Sequence, residues 1–259
     1  MILFLIKKAF FDMWDNLLRV FVINIAFLVI ATPTLLLVSG AASGIPGWAG
    51  WLIIAVDLLA LGVFTGAVSE MAKEMVDYHS TGLETFMAGF RASYRQSLIF
   101  TAANMVLALL LLVGWRFYTS QGTLLGLGGS VVLIWVFVVW IMIGQLFFPV
   151  LSRLDKHPIR VLRKSALLLL DNTFFVLVVT AGTLLIGVAS VLLAGLLFGF
   201  TTVLIWYHAA LKLRLLKYDY LEENPDADRR RIPWDALLVE ERERLGPRSL
   251  RGMIFPWKE

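Results

Sequence analysis

The chain has 259 residues, 59% of them apolar and 16% charged, with a mean hydropathy of +0.81. Soluble domains carry roughly half apolar and a quarter charged residues, so the excess marks lipid-facing surface rather than a large water-soluble core. With no cysteine, disulfides and Cys-based zinc or redox centres are excluded. The net charge of +4 fits basic loops at a membrane, and no nucleic-acid partner is expected.

In chain order, the first element is a short helix before the first apolar run. Lys8, Asp12, Asp15 and Arg19 recur on one helical face among Phe, Leu, Ile, Met and Trp. Lys8–Asp12 and Asp15–Arg19 have the spacing of opposite-charge i,i+4 pairs. The segment is predicted to lie as an amphipathic helix at the inner interface.

Six apolar runs follow, at 17–39, 48–69, 97–117, 124–149, 166–188 and 191–212, each long enough to cross a hydrocarbon core of about 30 Å. From Asn172 to Leu211 there is no Asp, Glu, Lys or Arg, and one helix over that stretch would reach about 60 Å. Two crossings joined by a hairpin near Ala189–Leu193 are therefore expected. All Lys and Arg residues except Arg116 fall on one side of this six-span reading, which predicts both termini in the cytoplasm and insertion in the plasma membrane. Trp48, Trp51, Trp115 and Tyr118 suit the outer boundary, and Trp206 and Tyr207 the inner one. A cleaved leader ending near Ala41-Ala42-Ser43 competes with the first span. Its apolar stretch exceeds the usual ~7–15 residues, and Asp12 and Asp15 interrupt its basic region. The expected fold is thus an all-α, polytopic helical bundle of six transmembrane helices over residues 1–216, followed by a cytoplasmic tail, 217–259.

Two connections carry helical signals. Thr81-Gly82-Leu83-Glu84 has a capping-box pattern, and Leu83, Phe86, Met87, Phe90 and Tyr94 form an apolar stripe that leaves Arg91 and Arg95 on other faces. Pro158 suits a first helical position ahead of Arg160, Arg163 and Lys164. Phe90-Arg91 with Arg95 resembles Ile159-Arg160 with Lys164 at an offset of 69, a match too short to establish a repeat. These basic helices have two readings, anchoring against anionic lipid or docking of a cytoplasmic partner. In the tail, a short helix is expected over 233–245, ended by Gly246-Pro247. Phe255 and Trp257 would anchor its tip on a membrane, on the protein's own loops or on a partner.

Asp57 lies near the middle of the second run, where an ionised carboxylate costs about 2.5–3.5 kcal/mol and should face the bundle or a water cavity. Its two readings are a proton or cation site and a protonated side chain bonded to another helix. Asn24, Thr32, Thr34, Asn104 and Gln145 add uncharged polarity suited to interhelical hydrogen bonds. Pro33 is expected to kink the first span. Gly62/Gly66 and Gly195/Gly199 have GxxxG spacing, the basis for considering a homodimer. His79, His157 and His208 are scattered and show no metal-ligand spacing, and neither GxSxG nor a Walker A sequence occurs. No metal, cofactor or enzymatic activity is expected.

Three stretches resemble the YesL-like family of bacterial multi-pass membrane proteins. Asn24-Ile-Ala-Phe-Leu-Val-Ile-Ala-Thr-Pro33 is similar to that family's Asn and "LP" nine residues apart in the first span. Thr85 to Leu98, TFMAGFRASYRQSL, looks like its "FFxxFxxNFKQSL" segment. Phe148 to Asp155 with Leu162 to Leu167 is similar to "LLPLLARFD…LLKNALLLA". The resemblance covers roughly residues 5–215 and leaves the tail outside it. The family's Thr-Ile-Gly-Pro-Ala run after the first-span proline is missing, and 40–50 looks like an altered outer loop. The resemblance implies a helical membrane protein associated with carbohydrate uptake, including ABC-type sugar importers, and supplies no catalytic residues. Two functions are therefore expected in competition: an accessory component that docks importer subunits through Arg91, Arg95, Arg160, Arg163 and Lys164, or an autonomous secondary transporter coupled through Asp57.

Overall fold

The computed structural model describes residues 1–229 and 232–248. Among them every regular element is helical: α1 (Ile2–Asp15), α2 (Leu17–Val38), α3 (Gly47–Val76), α4 (Leu83–Ser120), α5 (Leu124–Arg153), α6 (Pro158–Asp171), α7 (Thr173–Leu192), α8 (Phe200–Glu223), α9 (Trp234–Leu237) and α10 (Val239–Leu245). Five helices, α2, α3, α4, α5 and α7, are long and apolar enough to cross a membrane. Their surface is largely apolar side chains, including Val29, Leu52, Leu109, Val132 and Leu184, as a lipid-facing bundle requires.

α8 is built differently. It starts at Phe200 and carries Lys212, Arg214 and Lys217, so the apolar run at 191–212 is not one helical span. Its middle is the most enclosed part of the protein: Ile205, Ala209, Ala210 and Leu213 are fully buried among α1, α3, α5 and α7. Being covered by protein, α8 needs no lipid-facing apolar surface.

The connection from α7 to α8 spans 193–199 rather than Ala189–Leu193, and Ala194 and Gly195 take left-handed φ values of 50° and 71°. This turn packs beside Asn24, roughly 10 Å along α2 from Leu17 and roughly 21 Å short of Val38. Irregular backbone at such depth must be satisfied by protein. Asn24 does this on both sides: its Nδ2 donates to the Leu196 carbonyl (3.0 Å) and its Oδ1 accepts from the Thr201 amide (2.9 Å). Thr202 Oγ1 donates to the Leu197 carbonyl at 2.9 Å. Phe200 stacks on Phe27 and leans on Phe64, fixing the start of α8 against α2 and α3.

Helix ends differ from the sequence pattern elsewhere too: the run at 166–188 is divided at Asn172, its first part closing α6 and the rest opening α7. The cap of α4 is Gly82, not Thr81, and the Gly82 amide donates to Thr85 Oγ1 at 3.4 Å, so the Thr81–Glu84 capping box does not form. The tail does not begin at Lys217, because α8 runs on to Glu223; its short helix divides at Leu238 into α9 and α10. Asp15 pairs with Arg248 (2.7 Å) while Arg19 donates to Asn16 (2.9 Å), so the Asp15–Arg19 pair gives way to a contact with the tail.

The two GxxxG spacings are occupied inside the chain. A Cβ on Gly62 or Gly66 would strike Thr101, or Ser97 and Ser93, on α4. Gly195 lies in the turn, and a Cβ on Gly199 would fall 2.1 Å from the Gly195 carbonyl oxygen and 2.7 Å from Asn24 Nδ2. Gly199→Ala is therefore expected to destabilise the protein by about 1–3 kcal/mol through overpacking. Gly44→Ala, facing open space, should leave the thermal midpoint in detergent unchanged, so a comparison of the two variants checks the turn packing.

Candidate functional site

The densest polar structure lies where α1, α3, α5, α8 and α10 meet. α3 ends in a Schellman turn: the Tyr78 amide bonds to the Met75 carbonyl and the His79 amide to the Glu74 carbonyl, with Tyr78 at φ 63°. Glycine normally takes that position, because the left-handed region costs other residues about 1–2 kcal/mol. The last carbonyl of the helix, on Val76, accepts from Lys8 Nζ (3.1 Å) and Lys212 Nζ (3.2 Å), two cations at the negative end of a helix dipole.

Around that carbonyl, Lys8, Lys212 and Arg153 are matched by Asp12, Asp77 and Glu241. Lys8 reaches Asp12 at 3.2 Å and Glu241 at 2.9 Å. Lys212 reaches Glu241 at 2.7 Å and Asp77 at 3.1 Å, and Arg153 grips both oxygens of Asp77 at 2.9 and 3.2 Å. Tyr78 OH accepts from Lys8 (2.8 Å) and donates to Glu241 (3.3 Å), and the Lys8 ammonium lies 4.1 Å from the centre of its ring. These contacts hold Tyr78 in its strained conformation. Lys8 and Asp12, at 0% and 1% exposure, point into the protein, and α1 turns Leu3, Ile6 and Trp14 outward instead.

Burial pushes the Asp12 carboxyl up to about 7, against the pull of Lys8. Burial also opposes ionisation of Asp77 and Glu241. It is overcome by Arg153 and Lys212 at Asp77, and by Lys8 and Lys212 at Glu241, so both stay below their usual range. Just above the cluster, Ser69 Oγ lies 2.8 Å from His208 Nε2 and 3.3 Å from Ser152 Oγ. Ser69 and His208 are fully enclosed, which leaves this serine–histidine contact no approach for a substrate.

The polar residues within the spans do not converge. Thr34 donates to Asp57 Oδ2 at 2.5 Å, joining α2 to α3 beside Pro33. Asn104 Oδ1 accepts from Trp140 Nε1 at 2.7 Å, joining α4 to α5. Gln145 Nε2 donates to Thr180 Oγ1 at 2.9 Å, joining α5 to α7. Asn24 serves the α7–α8 turn, and Thr32 bonds its own helix at the Leu28 carbonyl. Each side chain thus has a separate local partner.

The basic helices are adjacent, because Gln96 Nε2 on α4 donates to the Lys156 carbonyl (3.2 Å) between α5 and α6. Arg91, Arg95 and Arg163 are exposed, and among the described residues none forms an ion pair. Arg160 and Lys164 reach Asp155 at 3.3 and 3.0 Å; the His157 amide, with Lys164, holds that carboxyl down at about 2. Phe255 and Trp257 lie outside the described residues. Set beside known proteins, the chain matches no family model, no curated protein and no solved structure.

Asp77, Tyr78, Arg153, Lys212 and Glu241 were not singled out by the sequence. The only local signal was the Lys8–Asp12 spacing, since the remaining partners are far apart in the chain.

Opposite pH dependences follow from the carboxylates. Asp77 and Glu241, lowered on folding, add stability above the ordinary carboxylate range, near pH 4.5, and lose it as pH falls through their folded values. Asp12, raised on folding, costs stability progressively from pH 3.8 up to about 7. Thermal midpoints should therefore rise as pH drops from about 8 to about 5, then fall. In Asp12→Asn the rise should vanish and the acid fall persist.

Proposed function

We propose that this chain is a non-enzymatic accessory membrane protein of a solute-uptake system, carbohydrate being the solute class the YesL-like resemblance suggests. Its basic surface on α4 and α6 would dock cytoplasmic parts of a transporter, such as subunits of an ABC-type sugar importer. One observation carries this reading: buried cations are matched by carboxylates, whereas Arg91, Arg95 and Arg163 stand exposed beside one another's helices with no ion pair among the described residues. Cations that the fold does not neutralise are free to meet an acidic partner or an anionic lipid surface. The competing reading, a secondary transporter coupled through Asp57, is favoured less, because Asp57 is tied to Thr34 and the other intramembrane polar groups lie at different helix pairs.

For topology we infer six membrane-inserted segments with both flanks in the cytoplasm of a bacterial cell. Lys8–Glu241 and Asp15–Arg248 join the two flanks, which supports their lying on the same side. α7 and α8 then act as one hairpin that enters and leaves by that side, its tip stopping short of the outer boundary. The absence of native cysteine makes this directly testable. In whole cells an impermeant maleimide should label Ser43→Cys but neither Leu196→Cys nor Asp226→Cys, and Asp226→Cys should react once the cells are opened. Labelling of Asp226→Cys from outside would overturn the orientation.

Docking is tested by reversing Arg91, Arg95, Arg160 and Arg163 to Glu and identifying what co-purifies from native membranes. Loss of stoichiometric transporter subunits, with monodispersity kept, is the expected result. Unchanged recovery would refute docking through these helices. Solute movement by the pure protein in liposomes, abolished by Asp57→Asn, would instead favour the transporter.

A further inference from the structure

A groove on the outside of the bundle runs between α2 and α3 and ends at the first turn of α4. With its mouth it holds about 400 Å³, and its inner part is walled by Val22, Ala26, Phe64, Met71 and Phe86. A second hollow of about 450 Å³ shares Phe64 and Phe86 with it and continues past Val63, Met87 and Leu98. Both walls are almost wholly apolar. The exceptions gather at one end, where Arg19, Thr81 and Gly82 form the mouth.

Three independent features make that mouth a seat for an anion. Thr81 is 6% exposed, and its hydroxyl has no hydrogen-bond partner, a cost buried polar groups rarely carry unless something else satisfies them. Gly82, at the cap of the 38-residue α4, has no side chain to accept from the first helical amides, which leaves the positive end of a long helix uncapped. Arg19 bonds only the neutral Asn16 amide, and among the described residues no carboxylate pairs with it. Glu84, the one acid of that first turn, is exposed and does not wall the groove.

We propose that this groove binds an anionic glycerophospholipid, with its phosphate between Arg19 and the first amides of α4 and an acyl chain along Phe64 and Phe86. A χ1 rotation brings the Thr81 hydroxyl, enclosed as it stands, to the phosphate. The occupant is a lipid rather than a soluble phosphate ester because the mouth opens onto apolar surface: Leu18 and Leu83, flanking it, are 77% and 82% exposed. A choline headgroup would bring a second cation against Arg19, whereas a glycerol headgroup brings none, so the site discriminates by headgroup charge.

The test is native mass spectrometry of the delipidated full chain in detergent, titrated with phosphatidylglycerol and phosphatidylcholine of identical chains. Wild type should bind phosphatidylglycerol about fivefold more tightly, the effect of one well-placed cation. Arg19→Gln should erase that preference and leave phosphatidylcholine binding in place. Ala26→Phe, which fills the inner groove, should weaken both lipids. Ala60→Phe, on the exposed wall of the second hollow, should do the same if Ala26→Phe does not fold. Equal binding of the two lipids by wild type, an unchanged preference in Arg19→Gln, or wild-type binding by a folded groove-filling variant would each overturn the proposal. So would full displacement of the lipid by inorganic phosphate, which would assign the mouth to a free anion.

Discussion

Ionised groups withdrawn from water at one end of the bundle are tolerated only as a complete set, and much of the structure follows from that constraint. Taking a single charge out of water costs several kcal/mol. Here Lys8, Lys212 and Arg153 share Asp12, Asp77 and Glu241 around the end of α3, so no member is buried alone. The set draws one residue or more from α1, α5, α8 and α10 and from the turn after α3. It therefore fixes the beginning of the described chain against its end, and both against the long helices. It also explains why α1 is oriented with its charges inward and Leu3, Ile6 and Trp14 outward. The left-handed Tyr78 belongs to the same arrangement, since its ring and hydroxyl touch both signs of charge.

Away from this end, apolar clusters pack several helices together, and the polar contacts between them are pairwise. α3 lies along α4 because Gly62, Gly66 and Gly89 leave room for Thr101, Ser97, Ser93 and the α3 backbone. Single side-chain hydrogen bonds join other helix pairs, from Thr34 to Asp57, from Trp140 to Asn104 and from Gln145 to Thr180. Bonds of this kind contribute on average only about 0.6 kcal/mol each within a membrane. Asn24 is the exception in kind, because it completes the backbone of a turn that has no water to turn to. A protein arranged this way has one tightly tied end and a region of long helices whose surface is largely apolar. An exposed basic surface on α4 and α6 and a glycine-capped helix start beside an apolar groove are then the places where the proposed partner and lipid would be met.

Hydropathy made the membrane-helical class and the four long helices α2 to α5 legible, because lipid exposure demands unbroken apolar sequence. At 191–212 the helix begins only at Phe200: the uncharged stretch up to Leu211 includes surface buried within protein, and Gly195 and Gly199 break the helix where Asn24 can satisfy the turn. Glycine spacing gave the positions of close approach but not the partner, which is α4 of the same chain for Gly62 and Gly66. The polar residues inside the spans were visible as such, yet their separation into different helix pairs depends on rotation about each axis, which a linear pattern does not encode. Least legible was the ion cluster. Lys8 and Asp12 satisfied a surface-helix pattern, and nothing local distinguishes Glu241 from its exposed neighbours Glu240 and Glu243.

The central claim, that buried charge ties the two flanks of the chain together, is tested most directly by a distance measured across that tie. Spin labels at Leu3→Cys and Arg242→Cys, both exposed on α1 and α10, report it by double electron–electron resonance in lipid nanodiscs. The account predicts one narrow distance distribution that broadens when Lys8 is replaced by Met. A broad distribution in the otherwise unaltered chain, or a narrow one indifferent to Lys8→Met, would contradict it.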